Sequence, residues 1–243
     1  MQLSFKLESN EPFSLPLHYN HLIQGFIYEA IDLELSTFLH DEGYMVQNRS
    51  LRLFVFSRLL GNFKIHRPAQ TITFGPQVTL WIASPLENFC LSMVRNIMRR
   101  GDLHLGSHIL RGVTFNSLTP KVNSDSIIVY TRSPVTVYST LLRPDGRKYT
   151  AYFQPGDPDY DHLITENLKR KYFAVNHQPA PDGAISVQPQ SQMKRNIVIY
   201  KNFIIKGYSG KLLLKGPPEL LQIALDAGLG AKNSQGFGFI QKQ

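Results

Sequence analysis

Cysteine is almost absent from this 243-residue chain, with Cys90 standing alone. A single thiol excludes an internal disulfide and any zinc site built on several cysteines. Acidic residues are also few, 18 against 26 Lys and Arg, which leaves a formal charge of +8. No apolar run approaches the roughly 18 residues that a membrane-spanning helix requires. The start, Met1-Gln-Leu-Ser-Phe-Lys-Leu-Glu, lacks the basic stretch and apolar core of a secretory signal. These absences point to a cytosolic protein. A hydrophobic content of 42% excludes wholesale disorder, and the length suits one large domain or two small ones.

The charge is unevenly placed. Residues 1–48 hold one basic residue, Lys6, and seven acidic ones, a local balance of −6, whereas residues 49–243 hold 25 basic and 11 acidic ones, a balance of +14. A basic surface attracts polyanions, nucleic acid foremost, although a solvated basic surface without a partner would carry the same charge.

Periodicity gives the element order. Leu3, Phe5 and Leu7 alternate with Ser4 and Lys6 as in a strand. From about Tyr19 to His40, Leu22, Ile23, Phe26, Ile27, Ala30 and Ile31 recur at helical steps. Asn20 reads as the N-cap and Gly43 as the stop, and a break within Asp32 to Ser36 would divide this stretch into two helices. A strand is expected over Leu51 to Leu60. A hairpin is expected over Gln70 to Ser84, turning at Gly75-Pro76, then a helix from Pro85 to Arg100 and a strand from His108 to Leu118.

The second half repeats this order without a sequence repeat. It predicts a strand over Ser126 to Arg132, β structure around the turn Pro144 to Arg147 and a helix from Asp157 to Val175. A long hairpin follows, Met193 to Gly207 with Lys211 to Lys215, then a helix from Glu219 to Ala227 and a strand over Phe237 to Gln241. The reading is an α+β fold of two tandem ferredoxin-like (βαββαβ) domains, residues 1–121 and 122–243.

Residues 228–239 read Gly-Leu-Gly-Ala-Lys-Asn-Ser-Gln-Gly-Phe-Gly-Phe. Glycine permits positive φ and close backbone approach to a ligand, and successive free N–H groups can form an anion nest. Lys232, Asn233 and Ser234 add a charge and donors. A nucleotide-binding P-loop is excluded because Gln235 stands where its second glycine belongs, and the dinucleotide fingerprint because Asn233 interrupts it. A tight helix-to-strand turn closing the sheet explains the same glycines.

Gly228-Leu-Gly230, five residues and then Gly236-Phe-Gly238-Phe resembles the signature loop of the RAMP superfamily of CRISPR-associated proteins. The segments Leu15 to Tyr28, Phe38-Leu-His40-Asp-Glu-Gly and Leu53-Phe-Val-Phe-Ser57 are similar to the opening helix, histidine and following strand of the Cas6 family within it. The loop marks the superfamily, and its pairing with Tyr28 and His40 marks the nuclease. The resemblance implies a metal-independent endoribonuclease that cuts CRISPR precursor RNA within repeats, leaving a 2′,3′-cyclic phosphate and a 5′-OH. The alternative it allows is a non-catalytic RNA-binding subunit of an effector complex. It also implies a prokaryotic cytoplasmic protein without a cofactor, whose partners are repeat RNA and, beyond it, other Cas proteins or a second copy of the chain.

By the same resemblance, Tyr28, His40 and Arg52 stand at the positions of the family's catalytic tyrosine, histidine and lysine, with arginine replacing the lysine. Metal-free RNA cleavage needs a base for the 2′-OH, an acid for the departing 5′-oxygen and a cation for the charged phosphorane. Arginine keeps the charge and binds phosphate bidentately but does not donate a proton near neutral pH. On an unbroken helix, Tyr28 and His40 would lie roughly 18 Å apart along the axis, so their pairing requires the helix to break. Read from the residues alone, Tyr28 also fits the apolar stripe of its helix, and His40 also fits a C-terminal cap.

Basic clusters supply the remaining RNA contacts expected: Arg143, Arg147 and Lys148 around a turn, and Lys194, Arg195 and Lys201 along the long hairpin. Lys169-Arg170-Lys171 reads as the end of a helix. His18 with His21, and His104 with His108, have spacings that suit two metal ligands, but no carboxylate completes a set, and no metal site is expected.

Overall fold

The computed structural model describes residues 1–243. Its N-terminal half is a βαββαβ unit whose first crossover contains two helices. The elements are β1 (Gln2–Glu8), α1 (Asn20–Ala30), α2 (Leu33–Asp41), β2 (Val55–Phe56), β3 (Gln77–Ala83), α3 (Glu87–Arg99) and β4 (His108–Leu118). The strands lie in the order β2-β3-β1-β4, all neighbours antiparallel, and the short strand Leu103–Leu105 adds to the edge beyond β4. The C-terminal half comprises β5 (Ser126–Thr131), α4 (Tyr160–Asn176), β6 (Ser186–Pro189), β7 (Lys211–Lys215), α5 (Pro218–Ala227) and β8 (Ile240–Lys242). Its order, β6-β7-β5-β8, is again second, third, first, fourth. Both halves are therefore ferredoxin-like units. Residues 119–125 between them form neither helix nor strand.

Each unit buries the apolar stripe that its periodicity announces. Ile23, Phe26, Ile27 and Ala30 of α1 and Phe89, Cys90, Met93 and Ile97 of α3 pack on Leu3, Phe5, Leu80 and Ile82 of the first sheet. In the second unit Ile164 and Leu168 of α4 and Leu220, Leu221 and Ala224 of α5 pack on Val129, Leu212 and Leu214. Truncating any of the large side chains here to alanine costs about 2–5 kcal/mol through lost burial and the cavity left behind.

The crossover breaks at Ile31 and Asp32, both extended (ψ 168° and 143°), at the leading end of the Asp32 to Ser36 stretch that suggested it. The N–H of Asp32 is donated to Ser92 Oγ of α3 at 2.7 Å, and the Asp32 carboxylate accepts from Arg95 at 2.5 Å and from Asn96 at 3.2 Å. The break is thus held from a different helix. Asn20 sits inside the first turn of α1 rather than capping it, and α3 starts at Glu87, two residues past Pro85.

Three strand expectations change. Only Leu51 and Val55–Phe56 of the 51–60 segment join strands, because Leu53 turns through positive φ (53°). Thr71–Phe74 and Gln77–Ala83 do not form a hairpin with each other. The former pairs with Phe13–Pro16 and Phe63–His66, the latter with β1 and β2. Lys194–Tyr200 pairs with Phe203–Ser209, turning at Lys201-Asn202, while Lys211–Lys215 leaves for the second sheet. In the last two cases the apolar alternation is real, but the partner is set by long-range burial.

The two units are joined at several polar points. The buried Gln2 amide donates to the carbonyls of Leu225 and Ile240 at 3.0 and 3.1 Å. Ser133 Oγ donates to Phe56 O at 3.0 Å and accepts from Phe239 N at 2.9 Å. Between these, Val55, Ala83 and Phe239 form a small buried cluster. A cleft of about 720 Å³ opens where α1, α2, α4, the hairpins and the glycine-rich loop converge.

Candidate active site and nucleic-acid interface

Because the crossover breaks, α2 doubles back along α1 and His40 returns to Tyr28. Their ring centroids are 5.6 Å apart with the planes at 78°, an edge-on contact. Tyr28 also stands edge-on to Phe54 at 5.7 Å. This packing accounts for its place on the apolar stripe of α1, while its ring edge still reaches the cleft. The imidazole is mostly exposed, and its Nδ1 lies 2.6 Å from the Asp41 carboxylate.

Arg52 enters from the segment that follows the ribbon Tyr44–Val46/Arg49–Leu51. One guanidinium nitrogen donates to the His40 carbonyl at 2.8 Å and another to Ser50 Oγ. The first bond caps a terminal carbonyl of α2. The two bonds use part of a five-donor group, leaving N–H groups for an anion. Partial burial pushes the Tyr28 phenol above its ordinary pKa, and the Arg52 guanidinium beside it opposes that shift.

The glycine-rich loop forms the facing wall. Its glycines are required by packing. Gly228, Gly230, Gly236 and Gly238 all have positive φ. A Cβ on Gly238 would lie 2.0 Å from the Leu229 carbonyl oxygen, and one on Gly230 2.5 Å from that of Thr136. The loop's N–H groups at Leu229, Ala231, Gly236 and Gly238 are donated to protein carbonyls, so these four do not form the expected nest for an anion. The Asn233 amide is also used internally, donating to Leu229 O and Phe237 O at 3.3 and 2.9 Å. Residues 230–235 of the loop line the cleft, with Lys232 supplying the charge, whereas Gly228, Gly236 and Gly238 lie outside it. Lys232 Nζ stands 5.1 Å from the centre of the Tyr138 ring, and burial lowers its pKa.

The loop is tied to the helix that carries Tyr28. Asn20 Nδ2 donates to Gln235 O at 2.8 Å, and Gln24 Nε2 to Ser234 O at 2.7 Å. Gln24, one turn before Tyr28, also accepts from the Tyr200 hydroxyl of the long hairpin. Burial and the nearby Tyr28 raise the Tyr200 phenol to about 12.

Of the basic residues singled out by sequence, Lys201 lines the cleft. Lys194 and Arg195 lie at the far end of the same hairpin, and Arg143, Arg147 and Lys148 surround the exposed tip of the Val137–Phe153 hairpin. None of these five borders the cleft. Arg147 Nε and Nη2 both donate to Asp145 Oδ2, at 2.9 and 2.7 Å, and Arg143 lies over Tyr149.

Arg49, Gln24 and Asn167 line the cleft without having been singled out, and so do Arg170 and Lys171, which the sequence reading assigned to a helix end. Lys171 does not end a helix, since α4 continues to Asn176. It is 3% exposed, and Nζ donates to Gly228 O at 2.7 Å and Gly230 O at 2.9 Å. Burial lowers its pKa to about 7. Its place one turn after Asn167 and two turns after Ile164 on α4 was the available signal. The run of three cations concealed it.

His21 Nδ1 lies 3.2 Å from the His18 carbonyl, His104 faces Glu29 at 3.4 Å, and His108 Nε2 lies 2.8 Å from the Ser14 carbonyl. No helix is long and apolar enough to cross a membrane.

The family profile described as "CRISPR associated protein Cas6, C-terminal" matches residues 118–242, just over half of the chain. A "CRISPR-associated endoribonuclease Cas6 2" from Methanocaldococcus jannaschii is 26% identical, across 99% of this chain and 98% of the relative. A solved structure described as the characterization of a Cas6-related gene from Pyrococcus furiosus superposes with a TM-score of 0.85 at 20% identity, covering 100% of this chain and 98% of that one. Another, described as a RAMP protein binding different RNA substrates, gives 0.81 at 19% identity, covering 100% and 99%. At these identities the two structures share the fold.

Proposed function

The chain belongs to the Cas6 family of CRISPR-associated proteins, and from that membership we propose that it is an endoribonuclease cutting CRISPR precursor RNA within its repeats. The observation that carries this reading is the meeting of Tyr28, His40 and Arg52 at one wall of a cleft that Arg49, Lys201 and Lys232 also border. The cations hold the phosphates, and the early helices bring the proton-transfer groups to them.

The residues suit transesterification by side chains alone. The Asp41 carboxylate at 2.6 Å favours the tautomer with its proton on His40 Nδ1, leaving the Nε2 lone pair free. In the proposed reaction Nε2 removes the proton from the 2′-OH, and the 2′-oxygen attacks phosphorus as the bond to the 5′-oxygen breaks. Tyr28, a phenol whose pKa burial raises further, donates to the departing 5′-oxygen. Arg52 stabilises the extra charge of the phosphorane through its remaining N–H groups. The products are a 2′,3′-cyclic phosphate and a 5′-OH.

End-labelled cognate repeat RNA incubated with the protein in EDTA tests this. Cleavage at one position with a cyclic phosphate terminus is expected. A strict requirement for divalent metal would overturn the mechanism. Tight, salt-sensitive binding with no product would point instead to an RNA-holding subunit.

A further inference from the structure

The long hairpin reaches the cleft through a tight turn. Lys201 and Asn202 both have positive φ (45° and 68°), which gives the two-residue turn whose twist matches its flanking strands. Directly opposed residues of an antiparallel pair project from the same face. Val198 opposes Ile205, and Tyr200 opposes Phe203. Val198, Ile205 and Tyr200 are buried with Phe237, so this face is turned into the protein. Phe203 shares the face and yet is 72% exposed. Its ring extends past the last packed residue and borders the cleft that contains Tyr28, His40, Lys201 and Lys232.

The position is held rather than loose. The Tyr200 hydroxyl donates to Gln24 on α1, and the Tyr152 hydroxyl of the neighbouring hairpin donates to Ile204 O at 2.8 Å. An aromatic ring left in water gains nothing from burial. The cleft it borders is also lined by the cations Arg49, Arg52, Lys201 and Lys232, which suit a phosphate chain, and every nucleobase has a face that stacks on such a ring. The exposed Ile197, Ile199 and Ile204 project from the opposite face of the hairpin and offer no apolar cover for Phe203.

We propose that Phe203 is a base-stacking residue that holds an unpaired nucleobase beside the scissile phosphate. This rests on the reading of the chain as a repeat-RNA endoribonuclease and adds the substrate group that fixes where along the strand the cut falls. The test is affinity for cognate repeat RNA with a 2′-deoxy sugar at the mapped cleavage position, so that turnover does not intervene. Phe203→Ala is expected to weaken binding about tenfold, and Phe203→Trp to restore it to within roughly threefold. One abasic substitution next to the cleavage position is expected to weaken the wild-type protein by a similar factor and the alanine variant hardly further. Equal affinities for wild type and Phe203→Ala would overturn the proposal, as would losses that multiply at every abasic position. If the wild-type protein cuts nothing, the same comparison on unmodified repeat, scanned one abasic position at a time, still decides the stacking question separately from the nuclease one.

Discussion

The His40 ring stands edge-on to the Tyr28 ring with centroids 5.6 Å apart, although twelve residues separate them in the chain. A continuous helix would hold them roughly 18 Å apart along its axis. The two extended residues Ile31 and Asp32 reverse the chain instead and bring a proton acceptor, a phenol and the Arg52 guanidinium to one place.

His40→Ala is expected to lower the single-turnover cleavage rate by about 10²–10⁴-fold, the usual worth of a positioned acid or base. Tyr28→Phe keeps the ring and removes only the hydroxyl, so it should lower the rate with little change in stability. Both variants should bind repeat RNA nearly as well as wild type in a filter-binding assay. An unchanged rate for His40→Ala would remove it from the reaction.

Ser92→Ala tests the break in the crossover. It removes the buried acceptor of the Asp32 N–H, sixty residues away in the chain. Loss of a part-buried hydrogen bond of this kind costs about 0.5–1.5 kcal/mol. The cleavage rate of the folded protein should also fall, because the angle between α1 and α2 sets the Tyr28–His40 approach. Urea denaturation and single-turnover kinetics measure the two effects separately.

Gly238 and Gly146 form a matched pair, with φ of 80° and 78°. A Cβ on Gly146 meets nothing within 4 Å, whereas one on Gly238 would lie 2.0 Å from Leu229 O. Gly146→Ala should cost about 1 kcal/mol, the price of the left-handed conformation. Gly238→Ala should cost at least about 3 kcal/mol or abolish folding, since backbone must move. Equal effects in thermal denaturation would show that the loop glycines serve conformation alone.

Lys171 should make stability depend on pH. Burial holds its pKa down to about 7 in the folded chain, against roughly 10.4 when unfolded. Between these values the unfolded chain binds the extra proton, so this contribution to stability rises with pH and is lost as pH falls towards 7. Relative to Lys171→Met, the wild-type protein should gain about 1 kcal/mol per pH unit between pH 7.5 and 9 in chemical denaturation. Parallel curves for the two proteins would refute the shift.

Much of the fold is legible in the chain itself. Ile23, Phe26, Ile27 and Ala30, and likewise Phe89, Cys90, Met93 and Ile97, announce the buried faces of α1 and α3 through spacing alone. His108 to Leu118 is a strand with the bounds that its pattern predicts. Strand partners are less legible. Thr71–Phe74 and Gln77–Ala83 lie three residues apart yet belong to different sheets. Alternation states which residues face a core without stating which strand lies alongside.

The sequence by itself determined the order of elements, the basic balance after residue 48 and the residue types available for proton transfer, because composition and periodicity are local properties. Only the tertiary structure decided that Tyr28 and His40 meet, since that depends on Ser92 and Arg95 holding a break in a crossover far from them in the chain. It also decided that Lys171 is buried under the glycine loop and that Phe203 overhangs the cleft. Those outcomes come from long-range packing and hydrogen bonding, which no local pattern encodes.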